Sequence, residues 1–457
     1  MLRSLWLLFV YLSFLGLGAA SPFIFALGYV WVDAFRPQEV AYVILDRIPV
    51  AMIMGAAAFG GYFLMDRREP PRLTLTGALM VIMCFWCTLT LVWAVAPAEA
   101  WVKWDWAFKT LLFAAFLPLV IRSRAQIEAF AQVYLFALAG HFIPFGIKTM
   151  ISGGGYGTNL GLSGGNSNLA EGGQLSTFCL MAAPIALFLA KHAQLIPRTF
   201  LTPIAYWGVA LLAVVTAIGT YERSALLGLG VLGGYMFMRS RRKLAFGILA
   251  AIGAMVLVYT SSAVFMKRME TIGTYQSDNS AMTRILVWKW TLDFSLTHPF
   301  GGGFTANAVD VIEFPPDDLN PAGYVQHGRA FHSIYFEMLG EQGYPGLLIF
   351  LLTTASAMIG LRRLSKRVRS IPHLAWCADL SDALQSGIAV FMTAGAFVGI
   401  AFQPIFWYFI AMSVSLREYV RRVEAGQKPP KLAAWRSIGP SAVPAGAEPV
   451  PAGWRRR

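Results

Sequence analysis

Three basic side chains stand where polar and apolar stretches of the sequence meet. Arg223 separates two apolar runs, Arg284 opens an amphipathic stretch, and His332 lies where a long polar segment returns to apolar sequence. The guanidinium fork of arginine pairs phosphate oxygens bidentately and keeps its charge at a membrane surface. An imidazole with a pKa near neutrality suits the removal of a proton from a hydroxyl. Together these residues predict group transfer from a lipid diphosphate to an acceptor alcohol.

A structural role is the alternative interpretation for each of them. Arg223 has the position of a helix-end anchor, and a single histidine is more often structural than functional. Neighbouring arginine and glutamate residues at a membrane re-entry point favour a functional role for His332. Lys148 is a further candidate for the diphosphate site, whereas Lys109 and His327 receive no predicted role.

The sequence predicts neither a metal site nor another cofactor. It has no His-Glu-x-x-His motif, no Asp-x-Asp on an outer segment and no Gly-x-x-x-x-Gly-Lys-[Ser/Thr] phosphate loop. The arginines would then take the electrostatic role of a metal at the leaving group. Cys84 and Cys87 form a Cys-x-x-Cys pair inside an apolar run, which predicts packing rather than redox chemistry.

The composition requires lipid as the solvent for most of the chain. Of 457 residues, 57% are hydrophobic and 13% are charged, with a mean hydropathy of +0.57. Soluble domains carry about 25% charged residues. These values exclude a disordered chain, a coiled coil and a disulfide-rich secreted module, and the long apolar runs exclude a transmembrane β-barrel. We therefore predict an all-α integral membrane protein.

Apolar runs separated by basic segments predict about twelve transmembrane helices, with Leu75–Val95 and Leu201–Thr220 among them. The first run, Leu5–Phe35, is interrupted at Ser21-Pro22 and crosses either once or as a hairpin; the count treats it as one crossing. The chain has 37 Lys and Arg against 24 Asp and Glu, a net charge of +13. Its basic clusters fall in alternate loops, which places those loops and both termini in the cytoplasm.

The opposite side carries three extramembrane features. Trp101–Trp106 is typical of an interfacial aromatic belt, and Ser152–Asn168 is a loop rich in Gly, Asn and Ser. The third feature is one long loop, residues 266–331, predicted to carry an amphipathic helix on the membrane face that ends at Pro299. The glycines at 301–303 that follow either form a turn or let the backbone approach a ligand.

The same patterns divide the chain into three regions. Residues 1–147 form an N-terminal transmembrane region, and residues 148–417 form a transmembrane core that includes the long loop. Residues 418–457 are predicted to be a basic, disordered cytoplasmic tail.

Four segments resemble the O-antigen ligase and polymerase superfamily of bacterial inner-membrane glycosyltransferases, in particular its exosortase-associated O-glycosylation ligase branch. They are SPFIFALGYVWVDAFRP, YERSALLGL, TRILVWKWTLDFSLTHPFGGGF and FHSIYFEMLGEQGYPGLLIF. The last has a His-[Asn/Ser]-x-x-[Leu/Phe] re-entry motif, the most specific of the four matches. The resemblance covers nearly the whole chain, although Glu222 stands where the family more often has serine. The Asn-rich outer segment of the branch is only partly kept in GGNSNLAEGGQLS.

The resemblance implies an activity and a place in the cell. The enzyme would transfer a glycan from undecaprenyl diphosphate to an acceptor hydroxyl, on lipid A–core or another surface glycan, at the periplasmic side of the bacterial inner membrane. Arg223 and Arg284, with Lys148, would bind the diphosphate, and His332 would activate the hydroxyl. The reaction would be metal-independent and would invert the anomeric centre. The expected partners are the lipid-linked donor, the acceptor and membrane lipid, and no nucleic acid.

Several related and unrelated functions remain open at this point. A polymerase would join repeat units that are both lipid-linked, and a protein O-glycosylation ligase would use a protein hydroxyl. A transporter of lipid-linked sugar would share a basic cavity, but transporters tend to have internal repeats and paired broken helices. This sequence has no evident internal repeat. A structural scaffold would tolerate changes to its outer charges.

Overall fold

The structure, a computed structural model, describes residues 2–41, 44–66, 68–152, 171–239, 243, 279–314 and 323–427. These residues form fourteen α-helices and one antiparallel two-stranded sheet, which confirms the all-α fold for the described part of the chain. The helices are α1 (Leu2–Gly18), α2 (Pro22–Phe35), α3 (Pro37–Val40), α4 (Val50–Met65), α5 (Leu75–Leu89), α6 (Pro97–Val120), α7 (Arg124–Ser152), α8 (Gly172–His192), α9 (Leu201–Gly219), α10 (Arg223–Arg239), α11 (Asn279–Thr297), α12 (Ile334–Val368), α13 (Ala375–Ala394) and α14 (Pro404–Glu424). The strands are β1 (Val311–Phe314) and β2 (Tyr324–His327).

Five helical segments of the described chain are long and apolar enough to cross a membrane, by length and composition. They are Leu75–Trp93, Arg124–Ile151, Gly172–His192, Leu201–Gly219 and Ile334–Val368. Helix α9 exposes Ile204, Trp207 and Leu211 along one face, as a lipid-facing helix does, whereas α8 is almost wholly buried among its neighbours. The chain is therefore a multi-pass α-helical membrane protein.

The first apolar run forms an antiparallel hairpin. Helices α1 and α2 are joined by a short turn, with Gly18 against the ring of Phe25 and Gly28 against Phe14. This is the second of the two predicted alternatives, not the single crossing on which the count rested. At 17 and 14 residues, the helices span only ~25 and ~21 Å, less than a bilayer core of ~30 Å. The count of about twelve crossings therefore stays a prediction.

The described part of the predicted long loop contains a helix where one was predicted, and its amphipathic position on the membrane face stays a prediction. Helix α11 covers the predicted helical stretch and ends at Thr297, two residues before the predicted stop at Pro299. Val287 is buried, while Ile285 and Leu292 are exposed. The small sheet, which the sequence did not predict, pairs Val311 with His327 and adds Ile312 and Phe314 to a second apolar core around Val287 and Phe331. The location of this region on the periplasmic side stays a prediction.

The glycine run lets two backbone segments meet without intervening side chains. The amide of Gly302 donates to the carbonyl of Gly340 at 2.9 Å, and the carbonyl of Gly302 accepts from Val95 at 2.8 Å. Gly301 has a φ of +82°, and a Cβ there would lie 2.5 Å from the amide nitrogen of Gly343. The close approach is thus to α12 rather than to a ligand, and it joins α11 to the beginning of α12.

We expect Gly301→Ala to destabilise the protein by about 2–5 kcal/mol, because left-handed strain adds to a clash with backbone atoms that cannot move aside. The matched control is Gly426→Ala. Gly426 also has a positive φ, of +66°, but open space where a Cβ would lie, so the change should cost only about 1–2 kcal/mol. Thermal unfolding of both variants in detergent compares the two costs; equal losses would mean that the close approach at Gly301 is not important.

The last described helix runs past residue 418, where the tail was predicted to begin, and the tail itself stays a prediction. Helix α14 continues through residues 418–424, because Glu418 pairs with Arg421 at 2.7 Å and with Arg422 at 2.7 Å on the following turn. Residues 428–457 lie outside the described residues, as do 153–170, which include nearly all of the predicted Ser152–Asn168 loop. Cys84 and Cys87 are buried free thiols, as predicted.

Candidate active site

Helix α11 and the segment before α12 are clamped together beside His332. The indole of Trp288 donates to the carbonyl of Phe331 at 2.9 Å, and its ring stacks on Phe336 with centroids 5.0 Å apart. Arg284 lies one helical turn before Trp288 and therefore on the same face of α11. The clamp holds this helix against the residue that precedes His332, and the positive charge of Arg284 lowers the pKa of His332.

His332 has a backbone conformation that histidine rarely adopts. Its φ of +48° lies in the left-handed region, and its neighbours Phe331 and Ser333 are buried on either side. Such a conformation costs about 1–3 kcal/mol and persists where surrounding contacts hold it, often at functional sites. This backbone conformation determines the direction in which the His332 side chain extends from the backbone.

Three charged side chains act on His332. Burial lowers the pKa of His332 below its ordinary value; Glu171 opposes this shift, while Arg284 and Arg329 lower the pKa further. Glu171 had no predicted role, whereas Arg329 is the neighbouring arginine that favoured a functional role for His332. Glu171 is the residue that precedes α8, and its carboxylate accepts from Gln174 at 2.9 Å. The only signal for Glu171 in the sequence was that it comes just before an apolar run.

Arg223 begins α10 at the same end of the bundle, where α8 and α12 also begin. The next residue, Ser224, is buried, and a Cβ on Gly173 of α8 would lie 3.6 Å from its hydroxyl oxygen and 2.9 Å from Val398. A Cβ on Gly399, the next residue, would lie 3.8 Å from the amide nitrogen of His332. These contacts join the start of α10 to His332 through a short chain of packed residues.

Lys148 lies near the end of α7 with an exposed side chain. The adjacent Thr149 packs on Gly219, the last residue of α9. Because Gly219 precedes Arg223 by four residues, Lys148 is at the same end of the bundle as the two arginines.

Two residues left without a predicted role make local contacts instead. Lys109 pairs with Asp105 at 2.7 Å in an exposed pair within one helix. The ring of His327 bonds the carbonyl of Asp310 at 3.2 Å, and the carboxylate of Asp310 accepts from the amide of Arg329 at 3.0 Å. His327 and Asp310 therefore order the turn that carries Arg329.

Three charged side chains form a buried cluster in the first turns of the helix that follows His332, and the sequence did not predict it. Lys103 donates to Glu337 at 2.6 Å and to Glu341 at 2.8 Å. Glu337 also accepts from the amide of Ala401, and Glu341 from the amide of Thr305, both at 2.9 Å. Lys103 stands in the stretch predicted to be an aromatic belt, where nothing indicated that its side chain turns inward.

The described site is rich in cations and hydrogen-bond donors. Within the residues that the structure describes, no group of three or more His, Cys, Asp or Glu side chains could hold a metal ion. Two arginines, a lysine and a partly buried histidine could bind an anion and accept a proton beside it.

Comparison with known families divides the chain near its middle. Residues 208–351 match the O-antigen ligase family, and residues 2–194 match a family of unknown function, DUF5935. No curated protein matches the chain. Arg223, Arg284 and His332 all lie in the first of these matches, and Lys103 and Lys148 lie in the second; the exosortase-associated branch stays a prediction. The segment 208–351, which carries these three candidate residues, therefore belongs to the O-antigen ligase family.

Proposed function

We propose that the protein transfers a glycan from undecaprenyl diphosphate to an acceptor hydroxyl on the periplasmic side of the bacterial inner membrane. An O-antigen ligase-like enzyme acts in general on a lipid-linked glycan and an acceptor. The observation that carries the proposal is the hydrogen bond from Trp288 to Phe331, which joins the helix that carries Arg284 to the residue before the strained His332, whose pKa the arginine charge lowers. A cation for the leaving diphosphate and a base for the incoming hydroxyl are thereby within reach of one substrate.

In the proposed reaction, Arg223 and Arg284, with Lys148, bind the diphosphate. The acceptor oxygen attacks the anomeric carbon from the face opposite the diphosphate, and the bond from that carbon to the diphosphate oxygen breaks, giving inversion. His332 takes the hydroxyl proton, and undecaprenyl diphosphate leaves with the bonding electrons. The two guanidinium groups stabilise the charge that develops on the leaving group, so no metal ion is required. Lipid A–core is the proposed acceptor.

The pH dependence of transfer tests the role of His332. Only the neutral imidazole can accept a proton, so kcat/KM should rise with pH through the pKa of His332. Because this pKa is lowered, the rising limb of the profile should lie below the ordinary pKa of histidine. Arg329→Gln removes a positive charge and should move this limb to higher pH. Glu171→Gln removes a negative charge and should move it to lower pH. Rate profiles from pH 4 to 8 measure both shifts.

The essential result is that the two variants move the rising limb in opposite directions. A general loss of folding would not move the limb of either variant in a defined direction. Lys109→Gln, which removes an exposed charge of an α6 surface pair, serves as the control and should leave the limb in place. Movement of both site variants in the same direction would contradict the assignment of the limb to His332.

The function itself is tested in the source strain with this gene deleted. Envelope glycans are separated on a gel, and undecaprenyl-linked intermediates are detected with a specific probe. Long glycan that accumulates on the lipid carrier and is missing from the acceptor supports a ligase. Single repeat units on the acceptor would indicate the polymerase, and loss of glycan from secreted proteins would indicate a protein O-glycosylation ligase. An unchanged pattern would contradict all three and favour transport.

A further inference from the structure

We infer that Lys103, from the N-terminal region, is a positioning residue for the His332 site. The inference rests on the proposed function in that His332 is taken as the base. It also assigns a role to the part of the chain that matches a family of unknown function. This part supplies a cation that pairs with two carboxylates of the segment that matches the ligase family.

The first reason is the cost of burying two carboxylates together. The side chain of Glu341 is fully buried and that of Glu337 is 7% exposed, while Lys103 is 20% exposed between them. Uncompensated charges at such depth are strongly unfavourable. Lys103 is the cation that pairs with both carboxylates, and the ring of Phe402 lies 5.5 Å from its ammonium group. The lysine therefore offsets the charge of both carboxylates in the first turns of α12.

The second reason is what the two carboxylates hold. Glu337 stands five residues after His332, and its second oxygen binds the amide of Ala401. Gly399 lies two residues before Ala401. A Cβ added to Gly399 would lie 3.8 Å from the amide nitrogen of His332 and 3.6 Å from the carboxylate of Glu337. One ion pair thus supports both the helix turn that follows His332 and the segment that packs on the backbone of His332.

The third reason is the backbone strain at both ends of the network. Glu341 binds the amide of Thr305, whose φ is +59°, and a β-branched residue is a marked outlier in this conformation. His332 is the other left-handed residue in contact with the network. Strained conformations persist only where several contacts hold them. We therefore expect both residues to relax when Lys103 is removed.

The test is Lys103→Met, with Lys109→Met as the matched control. Both residues lie on α6, but Lys109 makes only an exposed pair with Asp105, which contributes little. We expect Lys103→Met to lower kcat about 10²-fold with little change in the KM for donor, because displacement of a catalytic group by about 1 Å has an effect of that size. The control should match the wild type in both constants.

A second measurement does not depend on turnover. Diethyl pyrocarbonate modifies accessible imidazoles, and peptide mass spectrometry gives the modification rate of His332 relative to His327. Lys103→Met should change this ratio several-fold, and Lys109→Met should not. To separate position from stability, Lys103→Met is combined with Glu341→Gln, which removes one uncompensated charge. The double variant should regain thermal stability while kcat stays low.

The outcomes distinguish the inference from the proposed function. An inactive wild type whose modification ratio still changes in Lys103→Met would contradict the function and support the positioning role. An unchanged ratio in Lys103→Met overturns the inference, whether or not the wild type transfers glycan. Return of full kcat in the double variant also overturns it, because Lys103 would then act only through stability.

Discussion

Replacement of His332 by asparagine is expected to lower the rate of glycan transfer by about 10²–10⁴-fold, the range by which a general base contributes. Asparagine cannot accept the proton, yet it tolerates the left-handed conformation at φ +48° that this position has. The variant should therefore fold, insert and bind donor as the wild type does. Initial rates of the purified protein, with thermal unfolding measured on the same sample, test the expectation.

The matched control is His327→Asn. This histidine lies five residues earlier, and its ring bonds the backbone carbonyl of Asp310 at 3.2 Å. We expect its rate to stay within a few-fold of the wild type. Full activity in His332→Asn would exclude His332 as the base, whatever the control does.

Arg284→Lys is the second large effect, with an expected fall of about 10²-fold in both kcat and kcat/KM. The substitution keeps the positive charge but loses the planar fork that pairs two phosphate oxygens. Because negative charge develops on the diphosphate as it leaves, the loss should appear in the transition state more than in donor binding. Donor titrations at saturating acceptor give both constants.

The control for Arg284 is Lys289→Ala on the same helix, which removes an exposed charge from α11 without touching the clamp at Trp288. Its constants should equal those of the wild type. Arg223→Lys should also lower kcat and kcat/KM, as Arg284→Lys does. Unchanged kinetics in both arginine variants would remove them from the site, and a rise in KM alone would mean that they bind donor without assisting its departure.

Local patterns predicted the elements that present the site. Hydrophobic runs located the apolar helices, and the stop at Pro299 located the end of α11 to within two residues. Arg223 begins a helix and His332 comes just before one, as predicted, whereas Arg284 lies in the second turn of α11 rather than at its start. Such signals are local, because a helix begins and ends according to residues within one or two turns.

Contacts between distant residues could not be predicted in this way. Lys103 meets its two carboxylates 234 and 238 residues further along the chain. No spacing rule connects such positions, and the surrounding tryptophans suggested a membrane interface instead. The same limit applies to the glycine run, where two backbones meet, and to Glu171, which acts on His332 from another helix.

Reconstituted transfer tests the central claim most directly. Purified protein in lipid nanodiscs receives a glycan on undecaprenyl diphosphate and lipid A–core as acceptor, with a metal chelator present. Mass spectrometry then follows glycosylated acceptor and released undecaprenyl diphosphate. We predict that the wild type forms both in equal amounts and that His332→Asn forms almost none. Equal product from the His332→Asn variant, or no coupled product from folded wild type, would contradict the account.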